Sequence, residues 1–223
     1  MTALYRDRVE AARRLADQFV EESPKHPLVL AIPRGGVVTG FELARRLSAE
    51  LDIVVPRKLG APGEPELAIG AVMHDGTIFL NEAVFTYVGA SEKYLHEERE
   101  RQMQEAQRRL KVYRGNRPYP NLQSRTVIVV DDGIATGATM IAAIRWAKSQ
   151  GAEKVIAAAP VAPPQTFESL RKEADSVVCP ELPEPFFAIG QFYDEFPSVE
   201  DMEVIELLRR NWQEVQRQSQ SAK

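Results

Sequence analysis

Two adjacent carboxylates, Asp131 and Asp132, follow four β-branched residues, Val127-Ile128-Val129-Val130, and precede a run of small ones, Gly133-Ile134-Ala135-Thr136-Gly137-Ala138-Thr139. The β-branched stretch reads as a buried strand, and Met140 to Trp146 reads as an apolar helix. In an open α/β sheet, ligands bind outside the carboxyl ends of the strands. Small residues there let the backbone approach an anion, and the N–H groups and dipole of the following helix hold it. The aspartates repel phosphate; they suit sugar hydroxyls and a hard cation such as Mg²⁺. The chemistry predicted is therefore that of a phosphorylated sugar. The string is neither a Walker loop nor a dinucleotide fingerprint, lacking Gly-Lys-Ser/Thr and G-x-G-x-x-G. A buried strand ending in a solvated turn would also explain Val-Val-Asp-Asp-Gly taken alone.

Three further segments carry candidate chemistry. In Ile32-Pro33-Arg34-Gly35-Gly36-Val37, two glycines and a cation at a strand–helix junction suit a second anion. A plain tight turn capping the helix is the alternative. Arg57-Lys58-Leu59-Gly60-Ala61-Pro62-Gly63-Glu64-Pro65-Glu66 is predicted to be a mobile loop, basic at its root, or a surface Ω-loop without a role. The segment Pro183 to Phe196 holds Phe186, Phe187, Ile189 and Asp194. Its aromatic pair offers a face to a planar ring, or simply joins the core.

The elements that must position these segments alternate. Strands are predicted at Leu28–Ile32, Ile53–Val55, Val127–Val130, Val155–Ala159 and Ser176–Cys179. Helices are predicted at Tyr5–Val20, Val37–Leu47, Met140–Trp146, Pro164–Ala174 and about Val199–Trp212. Such alternation gives an α/β fold: a mostly parallel sheet with helices on both faces and all post-strand loops at one edge. Leu67–Met73 and Thr77–Leu80 read as a hairpin around His74-Asp75-Gly76, and Ser91–Tyr113 as a long helix of mixed charge, a solvated face rather than a nucleic-acid one. Residues 1–215 are read as one domain with a loop, hairpin and helix insertion at 60–120; the polar residues 216–223 are predicted to be disordered.

A net charge of −4 argues against nucleic acid or an anionic membrane as the main partner. No apolar run reaches the ~18–20 residues of a membrane span, and the start is not a signal peptide. With Cys179 as the only cysteine, no intrachain disulfide can form, which fits a reducing cytoplasm. Cys179 reads as a small buried residue, and His26, His74 and His96 have no metal-ligand spacing.

The string from Val127 to Thr139 closely resembles the 5-phosphoribosyl-1-pyrophosphate (PRPP) signature of the type I phosphoribosyltransferases. That resemblance implies their fold, with a small hood at 180–198, an Mg²⁺ cofactor, pyrophosphate as product and a homodimer. Asp131 and Asp132 would hold the ribose and, with Asp194, the metal. Gly133, Ala135, Thr136, Gly137, Ala138 and Thr139 would bind the 5-phosphate. Pro33-Arg34-Gly35-Gly36 resembles the family's pyrophosphate loop, which often contains a non-proline cis peptide, so one is predicted between Pro33 and Arg34. Arg57-Lys58 resembles the opening of the flexible catalytic loop in adenine and orotate enzymes; Lys58 would act on the departing pyrophosphate, and Glu66 or Glu64 would carry a proton. The tail is similar to the hood of hypoxanthine-guanine enzymes, which places Phe187 and Ile189 at the base.

The resemblance breaks at two positions. The oxopurine enzymes have an aspartate where Ala135 stands, and a lysine where Ala159-Pro160-Val161-Ala162-Pro163-Pro164 offers no side-chain donor. Hypoxanthine or guanine is therefore disfavoured as acceptor, since an unpaired buried carbonyl costs about 1–3 kcal/mol. The acceptor stays open. A PRPP- or nucleotide-sensing regulator without catalysis, and hydrolysis with water as acceptor, fit the same residues.

Overall fold

The computed structural model describes residues 3–20 and 24–221. Five short strands form a parallel sheet: β1 (Leu28–Ala31), β2 (Glu50–Ile53), β6 (Thr126–Val130), β7 (Lys154–Ala158) and β8 (Ser176–Val178). The order is β2-β1-β6-β7-β8, with Ala31 opposite both Ile53 and Val130. All five residues of β6 are buried, as a strand covered on both faces requires. Their alternation divides the core. Val127 and Val129 pack with Met140, Ile144 and Trp146, whereas Ile128 and Val130 pack with Leu15, Phe41 and Leu208. Helices α1 (Arg8–Asp17), α2 (Gly35–Leu47) and α7 (Asp201–Ser221) thus cover one face; α5 (Ala138–Ser149) and α6 (Pro164–Leu170) cover the other.

From β1 the chain moves outward through α2 to β2; from β6 it moves the opposite way through α5 to β7. Neighbouring β1 and β6 therefore form the switch point of the sheet, where the loops after both strands open onto one crevice. Those loops are Ile32–Arg34 and Asp131–Gly137. The predicted cis peptide between Pro33 and Arg34 is present.

The expected loop at 57–66 is instead a hairpin. Strands β3 (Arg57–Ala61) and β4 (Glu64–Val72) pair antiparallel, and β5 (Ile78–Leu80) completes a second sheet with the hairpin foreseen around His74. The Gly/Pro composition that suggested mobility serves regular structure here. Gly63 turns the chain at φ +76, a conformation costly for other residues. Gly60 lies at a register shift, where a Cβ would come within 2.8 Å of the Pro65 backbone. Helices α3 (Glu82–Tyr87) and α4 (Glu92–Arg114) join this sheet around Leu59, Ile69, Val72 and Leu95.

The last helix also departs from expectation, running through Ser221 where disorder was predicted from 216. Its final turns contain Glu, Gln and Arg, which favour helix, and no Gly or Pro to stop it. Residues 222–223 lie outside the described residues. Among the described residues, no helix is long and apolar enough to cross a membrane.

Candidate active site

At the switch point the two acidic residues press against the start of α2. A Cβ on Gly35 would fall 1.9 Å from Asp132 Oδ2, and one on Gly36 would fall 2.8 Å from Asp131 Oδ1. Glycine is required at 35 and 36 because carboxylates occupy the space of a side chain. Asp132 is buried and takes a 2.7 Å bond from the Arg8 guanidinium on α1. Arg8 also donates to the Pro197 carbonyl and lies 3.7 Å from the centre of the Phe196 ring. The Tyr193 hydroxyl donates to the Asp132 carbonyl. Asp131, half-buried, accepts the Asp132 N–H at 2.8 Å. Burial first, and then the Asp132 charge, push its carboxyl well above the usual range.

The loop after the acidic pair is held by its flanks. Ile134 N–H donates to Val161 O at 2.9 Å, and the Thr166 hydroxyl to Ala135 O at 2.7 Å. Ala135 and Thr136 are exposed, and Gly137 caps α5 at φ +80 without a side-chain bond. Among the described residues, the N–H groups of Ala135, Thr136 and Gly137 have no hydrogen-bond partner. The first N–H groups of α5, at Ala138 and Thr139, have none within the helix either. Gly133 is buried, and a Cβ there would meet Ile189 at 2.5 Å. The sequence-predicted anion loop is thus a cluster of unpaired donors beside two carboxylates.

A cleft of about 300 Å³ opens between Pro33, Thr139 and the root of the β3–β4 hairpin, where it is lined by Arg57 and Lys58. Lys58 Nζ binds the Glu66 carboxylate at 2.9 Å across the hairpin, and Glu66 is otherwise almost fully exposed. Arg34, at the N-terminus of α2, lies 3.8 Å from Asp201, whose carboxylate also accepts the Tyr113 hydroxyl. Burial, then the hydrogen bond to Asp201, raise that phenol to about 12.

The hood segment packs on the N-terminal residues. Tyr5, Phe192 and Tyr193 form a small core with Phe186 and Ile189 against it, and the Tyr5 hydroxyl donates to Pro160 O at 2.9 Å. Phe186 is therefore a packing residue. Phe187 is 84% exposed and belongs to no core cluster. The Gln191 carboxamide oxygen accepts the N–H groups of both Phe187 and Ala188, at 2.9 and 3.0 Å, which closes the loop on itself.

The family model for the phosphoribosyl transferase domain matches residues 2–196. The chain belongs to the phosphoribosyl transferase family. It is 42% identical over 207 residues to a Mycobacterium tuberculosis protein named "Putative phosphoribosyl transferase", covering 93% of this chain and 47% of that protein. The chain therefore spans about half the length of the curated relatives it matches. The crystal structure of TT1426 from Thermus thermophilus superposes with a TM-score of 0.82 at 41% identity, over 92% of this chain and 98% of that one. The parallel sheet, its flanking helices and the added small sheet make the type I phosphoribosyltransferase architecture, as the signature implied.

Within this family site, the metal set implied by the sequence is not assembled as expected. Among the described residues no three His, Cys, Asp or Glu side chains gather for a metal, so Asp194 does not join Asp131 and Asp132. Asp194 is exposed and tied through its N–H to Tyr5 O. Asp132 has one oxygen committed to Arg8. Asp131 still fits Mg²⁺, a cation that takes one or two carboxylates and completes its shell with water and phosphate oxygens. Arg8, Tyr5 and Tyr193 were not singled out from sequence. Arg8 lies 124 positions from its partner and sits in an ordinary amphipathic helix, so only the fold could reveal the pair.

Proposed function

We propose that this chain transfers the 5-phosphoribosyl group of PRPP to a nitrogen of a nucleobase-like acceptor, with Mg²⁺ and release of pyrophosphate. The observation that carries this reading is the switch-point crevice, where the loop after β6 bears unpaired N–H groups at 135–137 and its Asp131 lies against Gly36 of the turn after β1. A phosphorylated sugar with a second anion on C1 matches that order of donors and acceptors.

In this reading the amides of Gly133 and of Ala135 to Thr139, with the Thr136 and Thr139 hydroxyls, bind the 5-phosphate. Asp131 accepts from the ribose hydroxyls, and Asp132, fixed by Arg8, holds the backbone of the pair in place. As the C1–O bond breaks and the base nitrogen bonds to C1, negative charge builds on the pyrophosphate. Arg34, the Gly35 and Gly36 amides, Arg57 and Lys58 stabilise it there, the usual electrostatic source of rate. Mg²⁺, when bound, neutralises phosphate charge and orders the sugar oxygens. Lys58 exchanges Glu66 for the anion, which frees Glu66 to take the proton from the acceptor nitrogen. Phe187 offers its exposed ring to the base, beside Ile189. A homodimer, as the resemblance implies, and a cytoplasmic location, as the single cysteine suggests, belong to the same proposal.

The test is to incubate the protein with PRPP, Mg²⁺ and a panel of purines, pyrimidines and orotate while measuring pyrophosphate and nucleotide. Stoichiometric formation of both with one acceptor supports transfer. Tight PRPP binding without turnover supports a sensor, and pyrophosphate release without any base supports hydrolysis.

A further inference from the structure

Helix α4 carries a buried carboxylate on the face it packs inward with Leu95 and Ala106. Glu98 is 6% exposed and accepts from Arg101 Nε at 2.9 Å and from Gln102 Nε2 at 3.0 Å. Gln102 in turn accepts Arg57 Nε at 3.1 Å through its carboxamide oxygen. Arg57 therefore rests on a neutral acceptor. Among the described residues, no carboxylate pairs with it. Its guanidinium is half-buried, and burial followed by the neighbouring Arg109 charge lowers its pKa. The relay ends in the cleft of about 300 Å³, whose wall includes Arg57, Lys58, Arg101 and Thr139. Three cations there face one buried carboxylate.

We infer that α4 belongs to the pyrophosphate side of this site: Arg101 binds the departing anion, and Glu98 and Gln102 are positioning residues that aim Arg101 and Arg57 at it. The inference rests on the PRPP reading above and assigns residues of the inserted helix to it. A structural ion pair would need only Glu98 and Arg101. The second oxygen of Glu98 instead orients Gln102, and Gln102 leaves Arg57 with its full charge for a ligand. Charge-assisted bonds to a compact polyanion are the strong ones, and Arg presents them in a fixed fork.

Titration calorimetry in Mg²⁺ tests this with inorganic pyrophosphate, PRPP and ribose 5-phosphate on the full chain. Arg101→Ala, at an exposed side chain, should bind pyrophosphate and PRPP about tenfold more weakly with ribose 5-phosphate affinity unchanged. Gln102→Leu should show the same split. A merely structural Gln102 would instead weaken all three together. Unchanged pyrophosphate affinity in both variants, or equal losses for all three ligands, overturns the inference. If the unmodified protein binds pyrophosphate but not PRPP, and Arg101→Ala weakens that binding, the α4 assignment stands and the PRPP reading fails. If the unmodified protein binds none of the three, both fall.

Discussion

Arg8 and Asp132 show how a residue of plain appearance becomes decisive once folded. Truncating Arg8 leaves a buried carboxylate without its counter-charge, a change that costs about 3–5 kcal/mol in comparable buried pairs. Arg8→Ala should therefore lower the urea midpoint sharply, and adding Asp132→Asn should restore part of the loss. Among the described residues, Asp131 has no such ion-pair partner. Asp131→Asn should leave stability intact or raise it, because burial and the Asp132 charge already disfavour its ionised form. Its PRPP turnover should fall on the order of a hundredfold, as steady-state kinetics would show. The acidic pair was legible because strand, carboxylates and glycines are contiguous. Glu98 and Gln102 left a weaker signal: they share the helical stripe of Leu95 and Ala106, so a carboxylate and an amide interrupt an apolar face. Mixed charge along α4 masked that interruption.

At the level of elements, local composition misled where tertiary pairing took over. Apolar runs found the parallel strands, which are buried on both faces, although the run Ile53–Val55 meets β2 only at Ile53; flanking turn signals found the hairpin at His74. Both missed β3 because glycine and proline mark both mobile loops and the bulge and turn of a hairpin. Gly36→Ala should cost about 1–3 kcal/mol by overpacking, since the added methyl meets Val130 O at 3.0 Å as well as Asp131. Equilibrium unfolding of that variant measures the cost. The hood closes on one side chain. Gln191→Ala should release the amides of Phe187 and Ala188 to water, raising KM for the acceptor several-fold, given about 1 kcal/mol per lost bond. PRPP affinity should stay level.

Across the whole molecule, the small sheet meets the large one through an aromatic cluster. His74 stacks 5.3 Å from Tyr119 and meets the edge of Trp146 at 5.2 Å, while Trp146 Nε1 donates to Asp75 at 2.8 Å. Among the described residues, the buried His74 Nδ1 has no hydrogen-bond partner, and burial lowers the pKa of the ring, with Asp75 opposing that and Arg114 adding to it. The unfolded chain takes up a proton near pH 6.5 that the folded chain refuses. His74 therefore contributes stability above that pH, and the contribution is lost as pH falls through 6.5 toward the lower folded value. The slope is at most about 1.4 kcal/mol per pH unit, and a pH series of urea melts on His74→Gln should lack this component. The same cluster has an optical consequence. Trp146 lies on α5, whose first turn faces the anion loop and whose third turn touches the hairpin lobe, so its indole emission should shift when either a phosphate or the lobe moves. Trp212, at the far edge against Leu51, would supply the constant background, and Trp212→Phe would leave a single-tryptophan reporter of ligand-linked lobe motion.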